Sequence, residues 1–200
     1  MNLSSDQPAD RGFLLWVLGA CTVLSVALSA WCIYIDDVIN NDGVEYIRAA
    51  ERLALGDWTG ALSLYKWPFY PLLMLIVGKV AGVGYQVAGH IANSALLSAV
   101  VALFVLTVRA LGGTSRRLTL LAALVALIHP AFNEYRAFII RDPGYLVGYL
   151  AGVYFLFRYC RCARPRYYVG MLVGFAFASL FRVEGLVFLF CSPILIVLTR

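Results

Sequence analysis

Asp42 and Glu45 stand three residues apart in the segment Asp-Gly-Val-Glu-Tyr at 42–46. One chemistry for such a pair is local: a capping box, in which both carboxylates accept from free backbone amides at a helix start. The other is catalytic, because a carboxylate fixed at a helix start is well oriented to serve as a base toward a hydroxyl. The first does not exclude the second. A further group, Glu134, Arg136, Arg141 and Asp142, is packed into nine residues, and Arg182 with Glu184 forms a third.

Each group has a local explanation. Asp142–Pro143 reads as an N-cap followed by proline at the first helical position. Glu134–Arg136 and Arg141–Asp142 read as surface ion pairs, worth about 0–1 kcal/mol each. Arg182 and Glu184 suit a turn held in a polar layer. What these accounts leave over is that carboxylate and arginine recur together in all three places. Asp36 and Asp37 read as a polar flank, and His129, like His90 with Asn93 nearby, as packed residues before ligands. Five cysteines, an odd number in apolar runs or beside arginines, imply no disulfide framework. Cys160-x-Cys162 offers at most half a zinc site.

The elements that position these residues follow from composition. The 200 residues are 62% hydrophobic and 14% charged, with 16 Lys+Arg against 11 Asp+Glu for a net +5. Ordinary soluble domains are about 45–50% apolar and about 25% charged. The balance excludes disorder, a secreted disulfide scaffold and a nucleic-acid binder, and predicts an all-α polytopic membrane protein. Crossing about 30 Å of hydrocarbon takes about 20 apolar residues. The first run, Phe13–Ile35, is 23 residues without a charge, longer than the about 7–15 residues of a signal peptide's apolar region, and reads as an anchor. Tyr85–Val108, Leu118–Phe132, Pro143–Phe157, Tyr167–Phe181 and Leu186–Thr199 follow, giving about six transmembrane helices.

Trp67–Gly84 is a short apolar run interrupted by Lys79. Reading it as an interfacial or re-entrant helix keeps the arginine-rich connections (Arg109, Arg116, Arg117 and Arg158, Arg161, Arg164, Arg166) on the side of the N-terminus, as the positive-inside rule prefers. Residues 1–200 then form a single transmembrane module with both ends inside. An outer loop at 36–84 carries the amphipathic helix Val44–Leu55 and the re-entrant helix, and 133–142 is the second outer loop. Nine of the 11 acids fall outside, with Asp6 and Asp10 inside. The final run of 14 residues spans about 21 Å, which suggests a chain cut short or one that works with a partner subunit.

The order of motifs resembles the GT-C superfamily of membrane glycosyltransferases, such as the protein O-mannosyltransferases and the aminoarabinose transferases of lipid A. The resemblance rests on a long first span, Asp42–Tyr46 opening an amphipathic helix, Gly56-Asp-Trp58, Tyr65-Lys-Trp-Pro-Phe-Tyr-Pro71, Arg141-Asp-Pro143 and Arg182-Val-Glu-Gly185. It covers nearly the whole chain in order. Two departures are visible: Gly43 stands where better-known relatives have Glu, and Trp-Pro-Phe replaces Pro-Pro-Leu.

The resemblance implies transfer of a sugar from a polyprenyl-phosphate carrier to an acceptor hydroxyl at the outer face of a bacterial inner membrane, with the N-terminus cytoplasmic and the active face periplasmic. Asp42 would act as base or metal-binding carboxylate, alone or with Glu45 one turn on. Arg141, Arg182 and Lys66 would take the charge of the departing phosphate. Glu45, Glu134 and Glu184 would complete the substrate site, and Asp142 could share a divalent metal, Mg or Mn, with Asp42. The alternatives from the residues themselves are a lipid-linked-sugar transporter or flippase-like carrier, and a non-catalytic membrane scaffold. Gly148, Gly152, Gly170 and Gly174, spaced by four within runs, read as helix-packing positions.

Overall fold

The computed structural model describes residues 8–36 and 38–198 and is all-helical among them. Asp6, Asp37 and Thr199, named above, lie outside the described residues. The elements are α1 (Pro8–Ile35), α2 (Asn41–Ala54), α3 (Trp58–Leu64), α4 (Phe69–Ala81), α5 (Tyr85–Ala110), α6 (Arg116–Ile128), α7 (Pro130–Glu134), α8 (Asp142–Cys162), α9 (Pro165–Phe181) and α10 (Glu184–Leu198). Two, α1 and α5, are long and apolar enough to cross a membrane. Of the others, α8 has 21 residues but carries Asp142, Arg158 and Arg161 near its ends.

Proline and glycine set several boundaries. The run expected to continue to Phe132 breaks at His129, which is extended (φ −58°, ψ 122°) ahead of Pro130. Proline disfavours helical geometry in the residue before it, so α6 stops at 13 residues and the short α7 begins. The segment read as re-entrant forms α4, 13 residues ending at Gly82 in the left-handed region (φ +68°).

The amphipathic reading of α2 holds. Gly43, Tyr46, Ala49, Ala50 and Leu53 are buried, while Asp42, Glu45, Arg48, Glu51 and Arg52 are exposed. Its start differs from expectation. Asn40 is the N-cap and no side chain caps the helix, so the Asp42–Glu45 capping box does not form. Asp42 stays in the first turn, where the positive end of the helix favours a carboxylate.

α8 and α9 form the closest helix pair, made by small residues. A Cβ at Gly148 would stand 2.3 Å from Ala178 N, and one at Gly174 would stand 2.5 Å from Gly152 N. Only hydrogen fits at these crossings, so the packing role expected of these glycines is met. Large apolar side chains such as Trp16, Leu24, Leu124, Val173 and Phe190 are exposed on the bundle's outside.

The irregular stretch 135–141 lies inside this frame, its backbone satisfied by side chains. Asn93 of α5 donates to the carbonyls of Tyr135 and Phe138 at 2.7 and 2.8 Å. Asn40 takes both the N–H and the carbonyl of Ile139, which is fully buried. Non-helical backbone is tolerated in a membrane protein only where it is covered and paired in this way.

Candidate functional site: a charged cluster at one end of the bundle

The end of α9 and the starts of α8 and α10 meet at one end of the bundle, beside α2 and the Tyr65–Trp67 connection. Arg182 follows the last residue of α9. Its guanidinium grips Glu184 with two nitrogens, Nη2 to Oε1 at 2.7 Å and Nε to Oε2 at 3.3 Å, and donates from Nη1 to Asp142. Charge-assisted forked contacts of this kind fix geometry as well as adding energy. They hold Glu184 well below the usual carboxylate range, at about 2, chiefly through its bond to Arg182. Arg182 is correspondingly raised, first by Glu184 and also by Asp142.

Three expectations are corrected here. Asp142 does not cap α8, whose N-cap is Arg141, and it pairs with Arg182 across the bundle instead of with its neighbour Arg141. Glu134 and Arg136 do not pair either. Arg136 is fully buried and turns into the bundle, where it bonds the Ser25 carbonyl (2.8 Å), the Ser25 and Ser29 hydroxyls (3.1 and 2.9 Å) and Asn133 (2.7 Å). The bundle there offers hydroxyls and a carbonyl, and the guanidinium follows those acceptors.

Arg141 has no carboxylate partner among the described residues. Its guanidinium lies over the Tyr65 ring, 5.4 Å from the centroid. Tyr65 in turn meets Tyr46 edge-on at 4.8 Å, and Tyr46 meets Tyr70 at 5.1 Å. Tyr46 is buried, and burial is the main cause that raises its hydroxyl above the ordinary tyrosine range. Tyr65 adds to the shift, and Arg141 and Asp42 act on it with opposite signs. Asp42 and Arg141 therefore both act electrostatically on one phenol. Lys66 is exposed between two anchors: Tyr65 below Arg141, and Trp67, whose indole donates to the Ser179 carbonyl at 3.2 Å.

Of the residues expected at the site, the structure thus brings Arg141, Asp142, Arg182 and Glu184 together, with Asp42 exposed one turn before Tyr46 on α2 and Lys66 exposed beside Tyr65. Glu45 is exposed one turn along α2, and Glu134 is exposed on α7, which packs on α6 and α1. Neither makes a contact with the cluster. Tyr46, Tyr65, Trp67 and Asn40 carry the site's geometry and were not singled out by spacing. Tyr46, Tyr65 and Trp67 stand inside motifs named above and in an aromatic density that equally describes a membrane-interface belt, whereas Asn40 carried no signal.

Among the described residues no three His, Cys, Asp or Glu side chains converge, and Asp142 is taken up by Arg182. What the arrangement offers is a carboxylate in a helix's first turn, Asp42, and two cations outside any ion pair among the described residues, Arg141 and Lys66, beside a locked Asp142–Arg182–Glu184 triad. Comparison of the chain with protein-family models, with curated proteins and with solved structures finds no match.

Proposed function

We propose that this chain is the membrane module of a GT-C-type glycosyltransferase. It spans the bilayer about six times and moves a sugar from a polyprenyl-phosphate carrier to an acceptor hydroxyl at the outer, periplasmic face. The observation that carries the reading is the division of labour among the cations. Arg182 is saturated by Asp142 and Glu184, whereas Arg141 lies on a tyrosine face with no ion-pair partner among the described residues, and Asp42 stands one helical turn before Tyr46 on α2.

In this reading Asp42 takes the proton of the acceptor hydroxyl. The acceptor oxygen bonds the sugar's anomeric carbon as the bond from that carbon to the phosphate oxygen breaks. The electron pair leaves on the phosphate, whose charge Arg141 and Lys66 stabilise, so no general acid is needed. Arg182 orders the site from behind, and the exposed apolar girdle is the surface that lipid covers.

A second reading, a carrier for the same lipid-linked sugar, is favoured by Arg136. It sits against Ser25 and Ser29, about 15 and 9 Å along α1 from its Ile35 end, and ionisable residues inside membrane bundles commonly mark transport paths. The test is transfer of labelled sugar from a polyprenyl-phosphate pool in membranes carrying wild type, Asp42→Asn or Arg141→Gln. Loss in both variants at equal protein level supports the transferase. Retained transfer in Asp42→Asn removes the base assignment, and movement of the labelled lipid across the bilayer without transfer supports the carrier.

A further inference from the structure

At the opposite end of the bundle, α8 turns into α9 through Ala163 and Arg164, and Arg158, Arg161, Arg164 and Arg166 fall within nine residues. The α5–α6 connection adds Arg116 and Arg117. Arg161 reaches toward that connection, its Nη2 standing 3.2 Å from where a Cβ on Gly112 would lie. Asp10 is the one carboxylate at this end among the described residues, and Arg109 already holds it at 2.5 Å.

Within this patch two guanidinium groups converge on one phenol. Arg158 donates to the Tyr167 hydroxyl at 2.6 Å and Arg166 donates to it at 3.0 Å. Each also lies over the Tyr167 ring, at 5.0 and 4.8 Å from its centroid. Because both use the same oxygen, the two charges sit within about two hydrogen-bond lengths of each other. Neither has a carboxylate partner among the described residues, and the Nε of Arg158 is buried without a hydrogen bond. Tyr167 is itself buried and stacks on Phe155 at 6.5 Å, so the phenol is a fixed wall between the two arginines. Two like charges held together beside apolar surface repel, and an anion bound to both relieves that repulsion. Guanidinium forks match phosphate oxygens in shape and number.

We infer that Arg158 and Arg166, set by Tyr167, bind the phosphate of an anionic phospholipid headgroup. The inference rests on the chain lying in a membrane and is independent of its being a transferase. Position selects a lipid as the source of the phosphate. Phe155 stacks on Tyr167 and meets Tyr154, and Tyr159 meets Tyr168 near the same helix connection, the aromatic character of a headgroup layer. It is also on the side where arginine is in excess, and basic pockets between membrane helices on that side take acidic headgroups.

Native mass spectrometry of the full chain in neutral detergent, offered equal phosphatidylglycerol and phosphatidylcholine, reads this directly. Wild type is expected to retain phosphatidylglycerol in preference, and Arg158→Gln/Arg166→Gln to lose that preference by about tenfold or more. Arg116→Gln/Arg117→Gln removes the same charge elsewhere and is expected to keep the preference. Should the first pair fail to fold, Arg158→Lys/Arg166→Lys keeps the charge without the fork and is expected to weaken retention. Equal uptake of the two lipids by wild type, undiminished retention in the Arg158/Arg166 variants, or equal loss in the Arg116/Arg117 variant would overturn the site. Inorganic phosphate that displaces the lipid and stays bound to lipid-free protein would overturn the lipid assignment in favour of a soluble anion.

Discussion

Asn40 and Ile139, ninety-nine positions apart, exchange two hydrogen bonds: the Asn40 amide donates to the Ile139 carbonyl at 3.2 Å and its oxygen accepts from the Ile139 N–H at 3.0 Å. The side chain thus serves a buried stretch of backbone as a neighbouring strand would. It ties the entry of α2, which carries Asp42, to the segment that ends in Arg141. Asn40→Ala is expected to cost about 1–3 kcal/mol, because a buried N–H loses its acceptor. Asn40→Asp keeps the acceptor and loses the donor, and is expected to fall between. Thermal unfolding in detergent ranks the three.

Gly43 is where better-known relatives of the resembled family carry Glu, and the structure supplies a reason for glycine. A Cβ there would meet Asn40 Oδ1 at 2.7 Å and Ile139 Cβ at 3.1 Å. Alanine gains about 0.8–1.0 kcal/mol of helix propensity, but overpacking costs about 1–3 kcal/mol and here also disturbs the Asn40–Ile139 bonds. Gly43→Ala is therefore expected to lower the unfolding midpoint, and Gly43→Glu to lower it further. A rise in the midpoint for alanine would show that the contact yields freely.

Arg136 is buried with hydroxyls and carbonyls for partners and no carboxylate among the described residues. Arg136→Met keeps much of the volume and removes the charge, so its cost is expected to be smaller than that of Arg136→Ala, which also leaves a cavity, by about 1 kcal/mol or more. Equal losses would place the whole contribution of Arg136 in its hydrogen bonds.

The Arg182–Glu184 contact gives a pH dependence with a definite sign. The Glu184 carboxyl lies at about 2 in the folded protein against an ordinary 4.5, so its contribution is present above about pH 4.5 and is lost as pH falls toward about 2. Glu184 is half exposed, which keeps the effect modest. Unfolding midpoints between pH 6 and pH 3 should fall less in Glu184→Gln than in wild type. Parallel curves would remove the contact from the stability of this end.

Natural cysteines report the proposed topology. Cys160 and Cys162 are exposed at the end of α8, while Cys21 is buried. A membrane-impermeant maleimide is expected to label Cys160 and Cys162 in inside-out vesicles and to spare them in right-side-out ones. The reverse pattern would invert the map and move the Asp142–Arg182–Glu184 cluster to the cytoplasmic face.

Run length and composition were enough to expect an all-helical chain with long apolar helices at α1 and α5, but not the break at His129 or the short helices α3 and α7. The amphipathic face of α2, the short α4 and the close glycine contacts of α8 with α9 were legible as well: each is a periodicity or a breaker within one segment. The partners of the charges were not. Arg141 neighbours Asp142, and Arg136 lies two residues from Glu134, yet Asp142 is held by Arg182, Arg136 by Ser25 and Ser29, and Arg141 lies on Tyr65. Nor did spacing show that Asn40, and not Asp42, precedes the first turn of α2. Which groups converge depends on which helix ends meet and on how the buried 135–141 segment is paired. Those relations join residues from 40 to 111 positions apart, and only the packed bundle decides them.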